Sequence, residues 1–169
     1  MIPLAKTPTR VLCASALALL AAGCASAKVT TDWDRGANFG AYNTYAWMET
    51  PQMQALQRNS LFDKRLRSSV ERQLDAKGFR KTDGDADLLL VYHAGMRDKL
   101  DVQQSGYFGR NVSVRQYQQG TLVVDLVDAK RKELVWRGTA SGEVDKPDPS
   151  GEALDKTLSK MFESFPPRG

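Results

Sequence analysis

The chain has 169 residues, 41% of them hydrophobic and 26% charged, which suits one domain with its own core. Its 24 Lys and Arg are interleaved with 20 Asp and Glu, so the net charge of +4 forms no basic stripe and no nucleic-acid partner is expected. Two cysteines and one histidine supply neither a disulfide framework nor a clustered ligand set, so no metal and no cofactor are expected.

The chain opens with Lys6 and Arg10 and no acidic residue, followed by an unbroken apolar and small run over 11–22. That run is shorter than the roughly 20 residues needed to span a bilayer, and a basic start, a short apolar stretch and a small-residue end describe a secretory signal peptide. Its end, Leu19-Leu20-Ala21-Ala22-Gly23-Cys24, resembles the lipobox of bacterial lipoproteins, with alanine at Ala21 where leucine is commoner. The resemblance implies cleavage before Cys24, a diacylglyceryl group on its thiol and acylation of the new amine. An ordinary secretory signal would instead leave Cys24 as a lone thiol. The expected organisation is a signal peptide over 1–23, a short lipidated tether over 24–28 and one domain over 29–169. Loss of Lys6 and Arg10 with the signal lowers the charge from +4 to +2, and loss of Cys13 leaves no pair for an intrachain disulfide. More than one acyl chain gives stable anchoring. Ala25, in place of the aspartate that commonly retains lipoproteins at the inner membrane, points to the outer membrane of a Gram-negative cell, and the short tether keeps the domain close to the bilayer.

Val29 begins a strand-like pattern through Trp33, and Thr44-Tyr45-Ala46-Trp47 reads as a second short strand. Trp33, Tyr42, Tyr45 and Trp47 could form an aromatic platform for a ligand, but aromatics in strands serve packing more often. Residues 50–58 read as polar and irregular. A helix follows, capped by Asn59 or Ser60, with Asp63 in its first turn. Phe62, Leu66, Val70 and Leu74, flanked by Leu61, make one apolar stripe, and Gly78 occupies the left-handed C-cap position.

Asp83, Asp85 and Asp87 alternate as in a calcium loop, but an EF-hand needs glycine and glutamate where Leu88 and Ala94 stand. Leu88-Leu89-Leu90-Val91-Tyr92 is apolar on both faces, as a covered central strand should be, and His93 is expected to end it. Residues 96–111 read as a loop. Its tip sets Tyr107, Phe108 and Arg110 among glycines, which makes these three the candidate contact surface. Val112 and Val114 lead a strand through Tyr117.

Residues 120–142 read as a hairpin. Leu122, Val124 and Leu126 alternate with Val123, Asp125 and Val127; Leu134, Trp136, Gly138 and Ala140 alternate with Val135, Arg137 and Thr139. Alternation sends Asp125 and Arg137 to the faces opposite Val124 and Trp136, where they are expected to pair across the strands. Asp148-Pro149 reads as a helix cap and first turn, and Leu154, Leu158, Met161, Phe162 and Phe165 as the apolar face of a last helix, ended by Pro166-Pro167.

The expected fold is α+β, a two-layer sandwich of a mostly antiparallel sheet with two amphipathic helices on one face, and a parallel crossover through the first helix. The lipobox, Thr44-Tyr45-Ala46-Trp47, Asp87-Leu88-Leu89, the strand from Gly120 to Asp128, Leu134-Val135-Trp136-Arg137-Gly138 and Phe165-Pro166-Pro167 together resemble the bacterial lipoproteins grouped as family 4136 of the domains of unknown function. The resemblance implies a location and a domain shape, but no activity and no catalytic residues. The expected function is therefore that of a non-catalytic envelope lipoprotein, held to the membrane by lipid at Cys24, which binds an envelope protein partner or supports envelope assembly. The alternatives are a carrier of a small apolar or lipid ligand between sheet and helices, and an enzyme acting through Asp32, Asp34, Asp125 or His93.

Overall fold

The computed structural model describes residues 27–56, 60–105, 111–144, 148 and 150–168. The expected signal peptide, Cys24 and the contact residues Tyr107, Phe108 and Arg110 lie outside the described residues. In chain order the elements are β1 (Lys28–Trp33), a single 3-10 turn, β2 (Thr44–Trp47), α1 (Pro51–Leu56), α2 (Ser60–Ala76), β3 (Arg80–Lys81), β4 (Leu88–Ser105), β5 (Asn111–Asp128), β6 (Leu134–Glu143) and α3 (Glu152–Glu163). The strands form one sheet in the order β1-β6-β5-β4-β2-β3. β1, β6, β5 and β4 pair antiparallel, whereas β2 is parallel to both β3 and β4. The fold is thus an open α+β arrangement on a mixed sheet, and the chain from β2 to β4 is a parallel crossover through the helices.

The period-2 and helical patterns explain the core. Leu88, Leu90 and Tyr92 of β4, Val124 and Leu126 of β5 and Trp136 of β6 are fully buried and share one face of the sheet. Against it lie Leu66, Val70 and Leu74 of α2 and Leu158, Met161 and Phe162 of α3, also buried. The Trp136 and Phe162 rings sit 4.9 Å apart, and Phe162 stacks on Phe165 at 5.8 Å. Leu61, expected to flank the α2 stripe, is instead exposed. α2 ends in a Schellman motif: the Phe79 N–H donates to the Leu74 carbonyl and the Gly78 N–H to the Asp75 carbonyl, with Gly78 at φ +83°.

Five further expectations are corrected. Residues 50–58 are not irregular throughout: Pro51 starts α1, the Thr50 hydroxyl accepts from the Met53 N–H, and Met53 is fully buried. His93 does not end its strand, and the described part of 96–111, residues 96–105 and 111, is strand rather than loop. β4 runs on to Ser105 and pairs with β5 through Ser105↔Asn111, so the strand expected over 112–117 and the first strand of the hairpin are one 18-residue element. Polar residues had masked a strand that needs only one continuous partner. α3 begins at Glu152, later than Asp148-Pro149 suggests, but the Asp148 carboxylate still accepts from the N–H groups of Gly151, Ala153 and Leu154. Finally, a bulge where Val127 meets Leu134 breaks the simple alternation of β6, leaving Leu134 exposed and Val135 buried next to Trp136.

Candidate functional site

The face of the sheet opposite Tyr92, Val124 and Trp136 carries Leu89, Val91 and His93 of β4, Val123, Asp125 and Val127 of β5, and Arg137 and Thr139 of β6. At its centre Asp125 is in register with Val91 on one side and Arg137 on the other. Asp125 is only 5% exposed, and Arg137 lies over it as a two-pronged clamp, Nε to Oδ1 and Nη2 to Oδ2, both at 2.7 Å. This bonding raises the pKa of the Arg137 guanidinium. His93 Nε2 stands 4.0 Å from Asp125 Oδ2. In the next strand Asp32 is in register with Arg137.

Of the carboxylates and the histidine that sequence offered for acid–base work, the sheet therefore gathers Asp125, His93 and Asp32, and not Asp34. The Asp34 carboxylate instead closes a turn by accepting from the Gly36 N–H at 2.8 Å. Both oxygens of Asp125 accept hydrogen bonds from Arg137. The cluster is an ion pair with a histidine beside it, set among Leu89, Val91, Val123 and Val127.

The aromatic residues take core positions. Tyr45 is fully buried and Tyr42 nearly so. Trp47 packs edge-on against Tyr92 and donates from Nε1 to Glu71 at 2.8 Å, with the Arg67 guanidinium over its ring. Trp33 is covered by the Arg35 guanidinium at 3.9 Å. Asp87, the third of the alternating aspartates, spends its carboxylate on the N–H groups of Asn43 and Thr44, which fixes β2 beside β4 and lowers its pKa. Among the described residues no three His, Cys, Asp or Glu side chains gather as a metal site.

Two buried networks were not foreseen from sequence. The Tyr92 hydroxyl donates to Asp63 Oδ1 at 2.6 Å, and Arg67 binds both Asp63 and Glu49. At the β5–β6 turn, Asp128 accepts from the Tyr42 hydroxyl, from the Arg131 guanidinium and from the N–H groups of Lys130 and Arg131. Their only sequence signal is a carboxylate on a buried face, beside a tyrosine distant in the chain. Two open depressions are lined mainly by polar and charged residues, one between α2 and the start of α3 around Arg65, Arg72 and Asp155, the other beside Trp47, Arg67 and Lys81.

The second exposed feature is the far half of the β4–β5 ribbon. From Lys99↔Tyr117 to Ser105↔Asn111 the two strands pair with each other alone among the described residues, since β6 reaches only to the level of Gln118 and Gln119. This arm shows Met96 at its root and Leu100 and Val114 along one face, each at least 60% exposed. Arg97, Lys99 and Arg115 alternate onto the other face, where Arg115 pairs with Glu143.

Comparison with known proteins identifies the fold. The crystal structure of a PDZ domain protein from Parabacteroides distasonis is similar over 83% of this chain, with a TM-score of 0.57 and 14% identity. The chain spans 37% of that protein's length. A protein from Bacteroides thetaiotaomicron is similar over 82% of this chain and 95% of its own, with a TM-score of 0.50 and 14% identity; it belongs to the family described as DUF4136. No curated protein matches the chain. The model of the family described as "Domain of unknown function (DUF4136)" matches residues 29–167, which is the whole sheet from its second residue to beyond α3, and the chain belongs to that family.

Proposed function

We propose that the protein is a non-catalytic envelope lipoprotein, anchored by acylation of Cys24 to the outer membrane, which binds an envelope protein partner or supports envelope assembly. In this reading the domain is a two-layer unit whose helices cover one sheet face and whose other face receives the partner. The observation that carries it is the sheet face away from the helices: Leu89, Val123 and Val127, each partly exposed, around the half-exposed Arg137 that clamps the buried Asp125. Flat surfaces with an apolar centre and a few fixed charges suit protein partners, whereas small ligands favour enclosed concavities. The carrier alternative is less favoured, because the space between sheet and helices is filled by Tyr92, Trp136, Met161 and Phe162.

The test is crosslinking in cells from a photoreactive residue placed at Thr139, on the open face. A reproducible envelope protein crosslinked from Thr139, and not from the turn residue Lys130, supports the reading. Absence of any reproducible partner sinks it. The anchor has a separate test: palmitate labelling should disappear in Cys24→Ala, and labelling that persists removes Cys24 from the account.

A further inference from the structure

Strand registry fixes where an anchor at Cys24 would hold the domain. Lys28, the first residue of β1, is in register with Ser141, which is in register with Thr121, itself opposite Gly95. The chain therefore enters the sheet at the end from which the β4–β5 arm projects, two strands away from β5. Ala27 packs directly against Gly142 at this end. Cys24 lies four residues before Lys28, so it stands at most about 14 Å beyond the Lys28 level. The arm continues ten residues past Gly95 to Ser105, about 33 Å at the rise of an extended strand. An acyl chain at Cys24 thus brings the bilayer surface to a level that the arm overshoots.

A two-stranded ribbon with open edges cannot cross hydrocarbon, because its edge N–H and C=O groups would lose their partners. Asp98, Lys99, Asp101 and Arg115 along the arm oppose insertion further. What remains is to lie along the surface. The two faces differ: the register places Met96, Leu100 and Val114 on one face, together with Asp98, whose carboxylate accepts from the Gln118 amide, and Arg97, Lys99, Asp101 and Arg115 on the other. Leu100 and Val114 are diagonal neighbours across the strands, and both are more than 60% exposed. A free two-stranded ribbon is marginal in water, and apolar contact with a surface would support this one.

We propose that the face of the arm carrying Met96, Leu100 and Val114 rests on the headgroup and upper acyl region of the phospholipid bilayer to which Cys24 is anchored. The contact orients the domain, fixing which way the open sheet face points. It rests on Cys24 being acylated.

The test uses the full-length chain as processed by the cell, reconstituted in vesicles of phosphatidylethanolamine and phosphatidylglycerol, with an environment-sensitive fluorophore on Leu100→Cys, Val114→Cys or Lys130→Cys. Lys130 lies in the turn at the opposite end of the sheet and serves as the reference. Intact mass first establishes whether Cys24 carries lipid; an unmodified mass removes the anchor and this proposal with it, independently of the fluorescence. With lipid present, the Leu100 and Val114 probes should be blue-shifted and quenched by brominated acyl chains, and the Lys130 probe should be neither. Adding Leu100→Asp should return the Val114 probe to water while acylation is unchanged. Arm probes as solvated as the Lys130 probe overturn the proposal. So does a blue shift that brominated lipid fails to quench, which would place a protein, such as a second copy of the chain, on the arm.

Discussion

Asp125 and Arg137 face each other directly across β5 and β6 and share two hydrogen bonds of 2.7 Å. The pair differs from an ordinary surface ion pair because the carboxylate is buried while the guanidinium is about half exposed. Removing the arginine would leave the carboxylate among Val91 and its neighbours without its main donor. Arg137→Ala should therefore destabilise the domain by about 1–3 kcal/mol, the cost of a buried polar group losing its partner. Asp125→Ala, which strands only a guanidinium able to reach water, should cost less. Urea unfolding of the two variants checks the order, and equal losses would mean that the asymmetry of burial does not matter.

Asp128 gives a pH dependence. The Arg131 N–H, then the Tyr42 hydroxyl, the Arg131 guanidinium and the Lys130 N–H hold its carboxyl at about 2, against the opposing effect of burial and below an ordinary value of 3.8. Because the folded value is the lower one, the stabilisation is complete above about pH 4 and is lost as pH falls from there towards 2. With solvent screening at this turn allowed for, it amounts to about 1–2 kcal/mol. The stability of Asp128→Asn should be lower than wild type at neutral pH and converge with it near pH 2; parallel curves would contradict the assignment.

Two buried tyrosines should respond in opposite directions to loss of their hydroxyls. Tyr92 donates to Asp63 at 2.6 Å, and Tyr92→Phe should cost about 1–2 kcal/mol for a hydrogen bond to a charged acceptor. The Tyr45 hydroxyl is buried without a partner among the described residues. Tyr45→Phe removes an unsatisfied polar atom and should be neutral or stabilising by up to about 1 kcal/mol. Thermal unfolding of both variants decides it, and a marked loss in Tyr45→Phe would show that its hydroxyl is satisfied after all.

Gly138 sits on the core face between Trp136 and α3. A Cβ there would meet the Met161 side chain and come within 2.7 Å of the Trp136 ring. Gly138→Ala should push α3 off the sheet and destabilise by about 1–3 kcal/mol, as overpacking does in a filled core. Restoring space with Met161→Ala in the same chain should recover part of the loss; simple addition of the two penalties would argue against direct contact.

Local chemistry was enough to read much of this protein from its sequence. Leu66, Val70 and Leu74 recur at helical spacing and are the buried stripe of α2; Gly78 supplies the left-handed residue its C-cap requires; alternation about Val124 and Trp136 sends Asp125 and Arg137 to the other face and towards each other. These are consequences of periods of 3.6 and 2 and of one glycine's freedom at positive φ. The arm was illegible for the opposite reason. Residues 96–105 and 111–119 carry mixed polar and apolar side chains with no buried face, so burial gives no signal; their strand character comes from pairing between two segments. The bulge that buries Val135, the Tyr92–Asp63 and Tyr42–Asp128 bonds, and the placement of Lys28 at the arm's end of the sheet likewise depend on residues far apart in the chain. The elements with a clear apolar period, and the faces they bury, follow from each residue's near neighbours and were legible in the sequence. Which carboxylates are buried, which sheet face the helices leave uncovered and how far the arm extends past the level of Lys28 are set by the tertiary structure, because each depends on the placement of one element against another.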